Sequence, residues 1–161
     1  MHKHLIGVFC FILIGCANDF DEAKKVIVTT KAPAAIGPYS QAVYIDDVLY
    51  LAGQIALDPA TGQLIAGGIE AQTQRVMQNL GAVLEAGGFS FDYVVQVQVY
   101  LSDLNNYAAM NAVYAEYFEE DPPARAVVEV ARIPRDALVE IMMVAQQPCP
   151  TDCSNQFGRV N

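Results

Sequence analysis

Hydrophobic and polar residues follow two different periodicities along this chain. The stretch YVVQVQVYL, residues 93–101, alternates valine with glutamine, which predicts a strand with one buried face. Residues 69–86 and 104–118 instead carry apolar side chains at three- and four-residue spacing, which predicts two helices. Further strands are predicted from short apolar runs at residues 25–30, 42–45, 48–52, 124–131 and 137–145.

Local signals indicate where these elements begin and end. The Asp-Asp pair at residues 46–47 separates two strands and predicts a hairpin with a two-residue turn. The first helix is expected to end at the Gly-Gly pair at residues 87–88. Ser102 or Asp103 can cap the second helix, because their side chains accept hydrogen bonds from the free backbone N–H groups of its first turn.

The order of elements, β-ββ-α-β-α-ββ, lacks the regular strand–helix alternation of a parallel α/β sheet. It predicts an α+β fold with one mixed sheet and both helices on one of its faces. The chain then has nothing to cover the other face, to which we assign Val127, Val139, Ile141 and Met143. An apolar face of this size is unfavourable in water, so we expect self-association through the sheet.

The first residues, MHKHLIGVFCFILIGC, are typical of a secretory signal and not of the folded domain. Lys3 precedes an apolar run at residues 5–14. That run is shorter than the ~20 apolar residues that span a bilayer. An ordinary amino-terminal anchor or a misassigned start codon, with a cytoplasmic protein, are the alternatives.

Residues 13–16, LIGC, resemble the lipobox of bacterial lipoproteins. This predicts a signal peptide over residues 1–15, lipidation of Cys16 and a tether over residues 16–24. The expected location is the periplasmic side of a bacterial cell envelope, where the lipid anchor is the only contact with the membrane. No aspartate stands at the second position after the cysteine, which favours the outer membrane.

Composition limits the chain to one domain and disfavours nucleic acid as a partner. The 161 residues are 53% hydrophobic, and residues 25–147 are long enough for a single compact core. The net charge is −9, the pI is about 4.4, and the basic residues are scattered. Phosphate binding needs clustered lysine and arginine, so we expect no nucleic-acid partner.

The C-terminal tail, residues 148–161, carries the last two cysteines of the chain. Cys149 and Cys153 can close a small disulfide loop in an oxidising compartment. A metal site is not expected, because two thiols need further ligands and both histidines, His2 and His4, precede the predicted cleavage site. The mature chain then also lacks the base of a Ser-His or Cys-His pair.

Two charged residues stand in otherwise apolar stretches. Arg125 follows two prolines at the start of the fifth strand, and Glu140 lies inside the run ALVEIMMVA. Burying a carboxylate is costly unless it is paired, and burial raises its pKa toward a range useful for acid–base chemistry. The two residues form either a structural ion pair across neighbouring strands or a site for a ligand. The hairpin register decides between these, and the pattern alone does not fix it.

Three further residues are candidates only in combination with others. Tyr39, in IGPYSQ, suits a core or interface aromatic as well as a cleft wall. Gly53, in LAGQ, either relieves crowding at a strand end or lets a ligand approach closely. Asn111 lies on the apolar side of the second helix, where its amide needs partners.

Four motifs follow one another along the predicted domain, residues 25–147. They are APAAIGPYSQAV, LAGQIALDPATGQL, DLNNYAAMNAVYAEYF and PPARAVVEVARIPRDALVEI. In this order they resemble the reactive-intermediate deaminase (Rid, formerly YjgF-type) family, also called endoribonuclease L-PSP. The last motif carries the signature most fully: an arginine after Pro-Ala, then Val-Ala-Arg-Ile-Pro, then hydrophobic-Glu-Ile.

The resemblance implies a chorismate-mutase-like fold and a homotrimer with sites in the clefts between subunits. It implies cofactor-free hydrolysis of enamines and imines of amino acids to 2-keto acids and ammonia, as in a 2-iminobutanoate/2-iminopropanoate deaminase. Arg125 matches the arginine that holds the substrate carboxylate in a bidentate contact, and Glu140 the glutamate that positions or activates the attacking water. Tyr39, Gly53 and Asn111 match residues that line the same cleft.

Two other functions stay open at this point. A trimer that binds small carboxylates, or acts as a chaperone, without turnover would need Arg125 but tolerate the loss of Glu140. A ribonuclease ranks third, because the chain is acidic and its mature form lacks histidine.

Overall fold

A computed structural model describes residues 24–118 and 120–148. They form one sheet whose strands are β1 (Lys25–Ile27), β2 (Ala42–Ile45), β3 (Val48–Leu51), β4 (Val94–Leu101), β5 (Ala124–Glu129) and β6 (Val139–Gln146), with helices α1 (Ile69–Gly87) and α2 (Tyr107–Ala115). The strand order is β1-β2-β3-β6-β4-β5. Only β4 and β5 run parallel among these neighbours, and α2 connects them. The predicted mixed sheet and α+β class are confirmed.

Several sequence predictions concern the ends of the chain and lie outside the described residues. These are the signal peptide, the lipobox with Cys16, most of the tether, and the Cys149–Cys153 loop of the tail. Within the described part of the chain, no helix is long and apolar enough to cross a membrane.

The β2–β3 hairpin has the predicted two-residue turn. Asp46 and Asp47 have φ values of 49° and 61°, the two positive angles that a type I′ turn requires. The turn sets the register of the hairpin, in which Val43 pairs with Tyr50.

Helix α1 ends as its glycine pair predicts. Gly88 adopts the left-handed conformation, with φ of 82° and ψ of 25°. The N–H of Phe89 donates to the carbonyl of Leu84 at 2.9 Å, which satisfies one of the last free carbonyls of the helix.

Helix α2 is shorter than predicted. Residues 104–106 form a 3₁₀ turn, and the Asp103 side chain accepts from the N–H of Asn105 at 2.8 Å as the predicted cap. Beyond Ala115 the backbone tightens into bonds between residues three apart, such as Phe118 N–H to the Ala115 carbonyl at 3.3 Å.

Three strands differ from the prediction by at least two residues at one end. β1 ends at Ile27, because the Gln41 side chain takes over the hydrogen bonds of the Thr29 backbone. β6 begins only at Val139, since the N–H of Leu138 donates to the Gln72 side chain and not to a strand. β5 ends at Glu129, two residues earlier than expected.

Our assignment of apolar residues to the uncovered sheet face was wrong by one position. Val139, Ile141 and Met143 are fully buried beneath the helices, and Val127 lies half-buried against the same core. Successive strand residues point to opposite faces, so the residues between them lie on the open face. That open face carries Tyr50, Tyr100, Glu140, Met142 and Val144.

The hydrophobic core lies between the sheet and the two helices. Its largest fully buried side chains are Leu49, Met77, Leu80, Leu84, Leu101, Met110, Ile141 and Met143. Such interdigitated packing holds the sheet and helices rigidly together, so residues at the strand ends and helix surfaces occupy fixed positions.

Candidate functional site

Glu140 lies at the wall of a cavity of about 410 Å³. The other lining residues are mostly apolar: Pro33, Ala34, Ile36, Gly37, Tyr39, Ala52, Gly53, Gln54, Ile55, Leu57 and Pro134. Among the described residues nothing donates a hydrogen bond to the Glu140 carboxylate, and burial raises its pKa above the usual 4.5. A carboxyl group in this setting is suited to exchanging a proton with a ligand.

Gly53 leaves the space that the Glu140 side chain fills. The neighbouring residues Gln54 and Ile141 exchange two backbone hydrogen bonds, of 2.9 and 3.1 Å, which hold the two segments side by side. A Cβ atom on Gly53 would overlap Oε1 of Glu140 and lie 3.0 Å from its Cδ. The glycine predicted as a ligand contact therefore first of all accommodates the carboxylate.

Tyr39 stands on the loop opposite Glu140 in the same cavity. Its side chain is 46% exposed, and its hydroxyl accepts from the N–H of Ile36 at 3.4 Å. The predicted interpretation of Tyr39 as a cleft wall fits this position better than a core aromatic.

The buried amide of Gln41 holds the loop that forms one cavity wall. Its Oε1 accepts from the N–H of Thr29 at 2.7 Å. Its Nε2 donates to the carbonyls of Thr29, Ala32 and Pro33, the last at 2.7 Å. Gln41 is 3% exposed, so these bonds replace contacts with water that the loop would otherwise need.

Asn79 of α1 holds the other wall. Its Nδ2 donates to the carbonyls of Ile55 and Leu57 at 3.3 and 2.9 Å, and its side chain is 1% exposed. Sequence reasoning missed both amides. For Asn79 the available signal was a polar side chain among the mostly apolar residues on the buried face of α1.

Arg125 lies on the opposite face of the sheet, against α2. Its guanidinium carbon is 4.4 Å from the centroid of the Tyr114 ring, and its Nη2 donates to the Tyr107 hydroxyl at 3.3 Å. Its Nη1 is buried without a hydrogen-bond partner in the described part of the chain. The residue lines a second cavity of about 390 Å³ with Asn111, Tyr114, Ala115, Phe118, Pro122 and Pro123.

The ion pair considered between Arg125 and Glu140 does not form. β4 lies between β5 and β6, and the register places Arg125 beside Val97 and Glu140 beside Tyr100. Val97 is fully buried on the helix side, whereas Tyr100 lies on the open face. In residues 24–118 and 120–148 the ion pairs are those of Lys31 and Arg132, so no carboxylate there neutralises Arg125.

The predicted site residues thus divide into two groups. Tyr39, Gly53 and Glu140 share the first cavity, while Asn111 and Arg125 share the second. Asn111 makes no hydrogen bond within the described segments, so its amide is free to meet a ligand. One chain alone does not bring the two groups together.

The site residues do not form a metal centre. No group of three or more carboxylate, thiol or imidazole side chains gathers around a common point within the segments that the structure describes. The polar side chains available at the two cavities are one carboxylate, one guanidinium, two amides and two tyrosine hydroxyls. This donor set suits binding of a small organic anion and proton exchange with it.

Sequence comparison relates the chain to proteins of one family. A sequence model of the family described as Endoribonuclease L-PSP matches residues 29–147. A RutC family protein of Pyrococcus abyssi is 53% identical over 123 residues, which cover 76% of this chain and 97% of the relative. A 2-iminobutanoate/2-iminopropanoate deaminase of Mus musculus is 48% identical over 124 residues, which cover 77% and 92%.

Solved structures show the same fold. A Rid family protein from Yersinia pestis is 44% identical with a TM-score of 0.76, covering 78% of this chain and 100% of its own. The structure of E. coli TdcF with bound serine is 36% identical with a TM-score of 0.75, with the same coverage. The described domain therefore corresponds to the whole length of these chains.

Proposed function

Because this chain belongs to the Endoribonuclease L-PSP family, also known as the Rid family, we propose that it hydrolyses reactive imines and enamines of amino acids to 2-keto acids and ammonia. Relatives named 2-iminobutanoate/2-iminopropanoate deaminase, from mouse and human, support this reaction. The observation that carries the proposal is the guanidinium of Arg125, which lines a cavity and meets no carboxylate in the described part of the chain. A substrate carboxylate supplies the missing partner.

The chemistry asks for two functions from the protein. Arg125 binds the carboxylate and so fixes the position of the C=N carbon, which is already electrophilic. Glu140, as the carboxylate, accepts a proton from the attacking water while oxygen bonds to that carbon. That proton then passes to the nitrogen, and Glu140 carries the proton of the new hydroxyl group to the same nitrogen, so that the C–N bond breaks and ammonia leaves as the C=O bond forms. General acid–base assistance of this kind typically accelerates a step by about 10²–10⁴-fold.

We further propose that the working site lies between subunits of a homotrimer. Arg125 and Glu140 point to opposite sides of one sheet, so a site that uses both takes Arg125 from one protomer and Glu140 from its neighbour. In a cyclic trimer each interface joins two different surfaces, which gives three such sites. The open face, with its tyrosines, Met142 and Val144, supplies apolar surface for the contact.

The first test is keto-acid release by the purified full-length chain. An amino-acid oxidase generates short-lived imines in situ, and semicarbazide traps whatever escapes hydrolysis. We expect the wild type to divert imine to keto acid. The rate of keto-acid release should be at least about 100-fold lower in Arg125→Ala and in Glu140→Gln. Arg132→Ala is the matched control, since Arg132 is exposed, pairs with Asp136 and lines neither cavity.

A mixing experiment tests the position of the site. When Arg125→Ala and Glu140→Gln chains are denatured together and refolded, roughly a quarter of the sites in a random trimer unite the two intact residues. Recovery of about a quarter of wild-type activity is expected. No recovery in trimers shown to be mixed would mean that both residues act from the same chain.

The same variants separate turnover from simple binding. A carboxylate-binding or chaperone-like trimer would bind 2-ketobutyrate through Arg125, show no imine hydrolysis, and bind equally well after Glu140→Gln. A folded, trimeric wild type that is inert on several imines would therefore favour that alternative.

We also propose that the chain is exported and held in the cell envelope by lipid on Cys16. The support comes from the apolar run at residues 5–14 and the LIGC sequence that ends it. Metabolic labelling with radioactive palmitate should label the wild type and not Cys16→Ser. Peptide mass spectrometry of the purified protein, without reduction, tests whether Cys149 and Cys153 are joined.

A further inference from the structure

The side chain of Arg125 is held by two tyrosines of α2. Tyr107 and Tyr114 are seven residues apart, so two turns of the helix place them on the same side. Both face β5, and both contact the guanidinium: the ring of Tyr114 at 4.4 Å and the hydroxyl of Tyr107 at 3.3 Å. We call this pair the tyrosine cradle.

Tyr114 forms the flat side of the cradle. Its side chain is 5% exposed, and the rings of Tyr114 and Phe118 pack with centroids 4.7 Å apart, which fixes the ring against the core. A guanidinium over an aromatic ring at this distance is attracted to the ring face, so the plane of Tyr114 restrains the plane of the guanidinium. The Tyr114 hydroxyl is buried without a hydrogen-bond partner among the described residues. The contact that the geometry shows is therefore that of the ring face with the guanidinium.

Tyr107 restrains the remaining rotation. Its hydroxyl is the only hydrogen-bond acceptor that Arg125 meets within the described segments. The side chain is 42% exposed and does not line the cavity of Asn111 and Arg125, so it approaches the guanidinium from outside the cavity. With one nitrogen tied to Tyr107, rotation about the Nε–Cζ axis is hindered.

We propose that Tyr107 and Tyr114 are positioning residues that hold the guanidinium of Arg125 in the orientation that receives a ligand carboxylate. Arginine has a long side chain with several rotatable bonds, and ordering it on binding weakens affinity. The cradle orders it beforehand. This inference rests on the proposed function only for the identity of the ligand, since the contacts themselves belong to the unliganded chain.

The first measurement is the dissociation constant of 2-ketobutyrate, with the apparent KM and kcat for an oxidase-generated imine. Tyr114→Leu removes the ring, and we expect the dissociation constant and KM to rise about tenfold while kcat stays within about twofold. Tyr107→Phe removes one hydrogen bond and should raise both constants by about threefold. Tyr114→Phe restores the ring, so both constants should return close to the wild-type values.

The matched control is Tyr117→Leu. Tyr117 packs against Phe91 at 5.1 Å and accepts a hydrogen bond from Gln74, but does not touch Arg125. We expect this variant to lose stability without a change in the dissociation constant. If it weakens 2-ketobutyrate binding as strongly as Tyr114→Leu, the effect is general loosening of α2 and the inference is wrong.

A second readout is independent of catalysis and of ligand. In ¹⁵N-labelled full-length protein, hindered rotation of the Arg125 guanidinium gives separate Nη signals, assigned by their absence in Arg125→Ala. These signals should merge in Tyr114→Leu and persist in Tyr117→Leu. Unchanged signals in Tyr114→Leu would overturn the inference even if the deaminase proposal holds. If the wild type neither hydrolyses imines nor binds 2-ketobutyrate, the proposed function fails and the signals alone decide the role of the cradle.

Discussion

Replacing Gly53 with alanine should disable Glu140 without touching it. The added methyl group occupies the space of the Glu140 carboxylate and lies 3.0 Å from its Cδ. The φ angle of Gly53 is outside the left-handed region, so alanine is compatible with the backbone. The perturbation therefore falls on the position of one side chain.

The expected loss of activity follows from how far the methyl group displaces the Glu140 carboxylate. Carbon and oxygen atoms must separate to ordinary contact distance, which moves the carboxylate by on the order of 1 Å. A misplacement of this size typically costs about 100-fold in rate, so kcat should fall by that factor while binding through Arg125 persists. The free energy of unfolding should fall by no more than ~2 kcal/mol, since overpacking by one methyl is partly offset by the lower entropy of the unfolded chain.

The assay is imine hydrolysis measured on a double-mutant cycle of Gly53→Ala and Glu140→Gln. If Gly53 matters only through Glu140, adding Gly53→Ala to Glu140→Gln causes no further loss. Gly81→Ala is the matched control, because its methyl group would meet Phe91 at 3.2 Å and lies in α1. Additive losses in the double variant would refute the reasoning and indicate that Gly53 itself contacts the substrate.

Three further predictions concern charge, pH and the cavity wall. Arg125 is the only basic residue that lines either cavity in the described chain, so a second carboxylate on the substrate would find no cation there. Imines with a second carboxylate should therefore be hydrolysed at least about tenfold more slowly than those of leucine or methionine. Competition with semicarbazide measures the difference. Burial raises the pKa of Glu140 in the folded protein above the usual 4.5. The protonated side chain therefore contributes stability below pH 4.5, and this contribution is lost as the pH rises through the pKa of the folded protein. Urea unfolding should therefore find Glu140→Gln more stable than the wild type at pH 7, with the difference gone below pH 4.5. In Gln41→Leu the Thr29 and Pro33 backbone groups lose their partners, and urea unfolding should show a loss of about 2–4 kcal/mol.

The elements that depend on local signals were predictable from sequence. The turn at residues 46–47 and the end of α1 at Gly88 each follow from the residue that occupies one backbone position. The facing of β6 was predicted wrongly, because Met142 and Val144 are apolar on one side as Ile141 and Met143 are on the other. Glu140 was the one polar residue in the predicted run, residues 137–145, that could have fixed the alternation.

The candidate site was predictable in its members but not in their arrangement. Glu140 and Gly53 are far apart in sequence, and the bridge between the neighbouring Gln54 and Ile141 brings them together. The position of Arg125 depends on the insertion of β4 between β5 and β6, which is a non-local property of the sheet. The backbone carbonyls that Gln41 binds belong to an irregular loop, and such acceptors leave no pattern of side chains to read.

The opposite facing of Arg125 and Glu140 has a consequence for how the activity depends on protein concentration. If the working site joins them across subunits, a separated chain has neither cavity complete, and specific activity becomes a measure of assembly. Serial dilution below the dissociation constant of the trimer should then lower activity per chain steeply, and substrate or 2-ketobutyrate bound across the interface should oppose that loss.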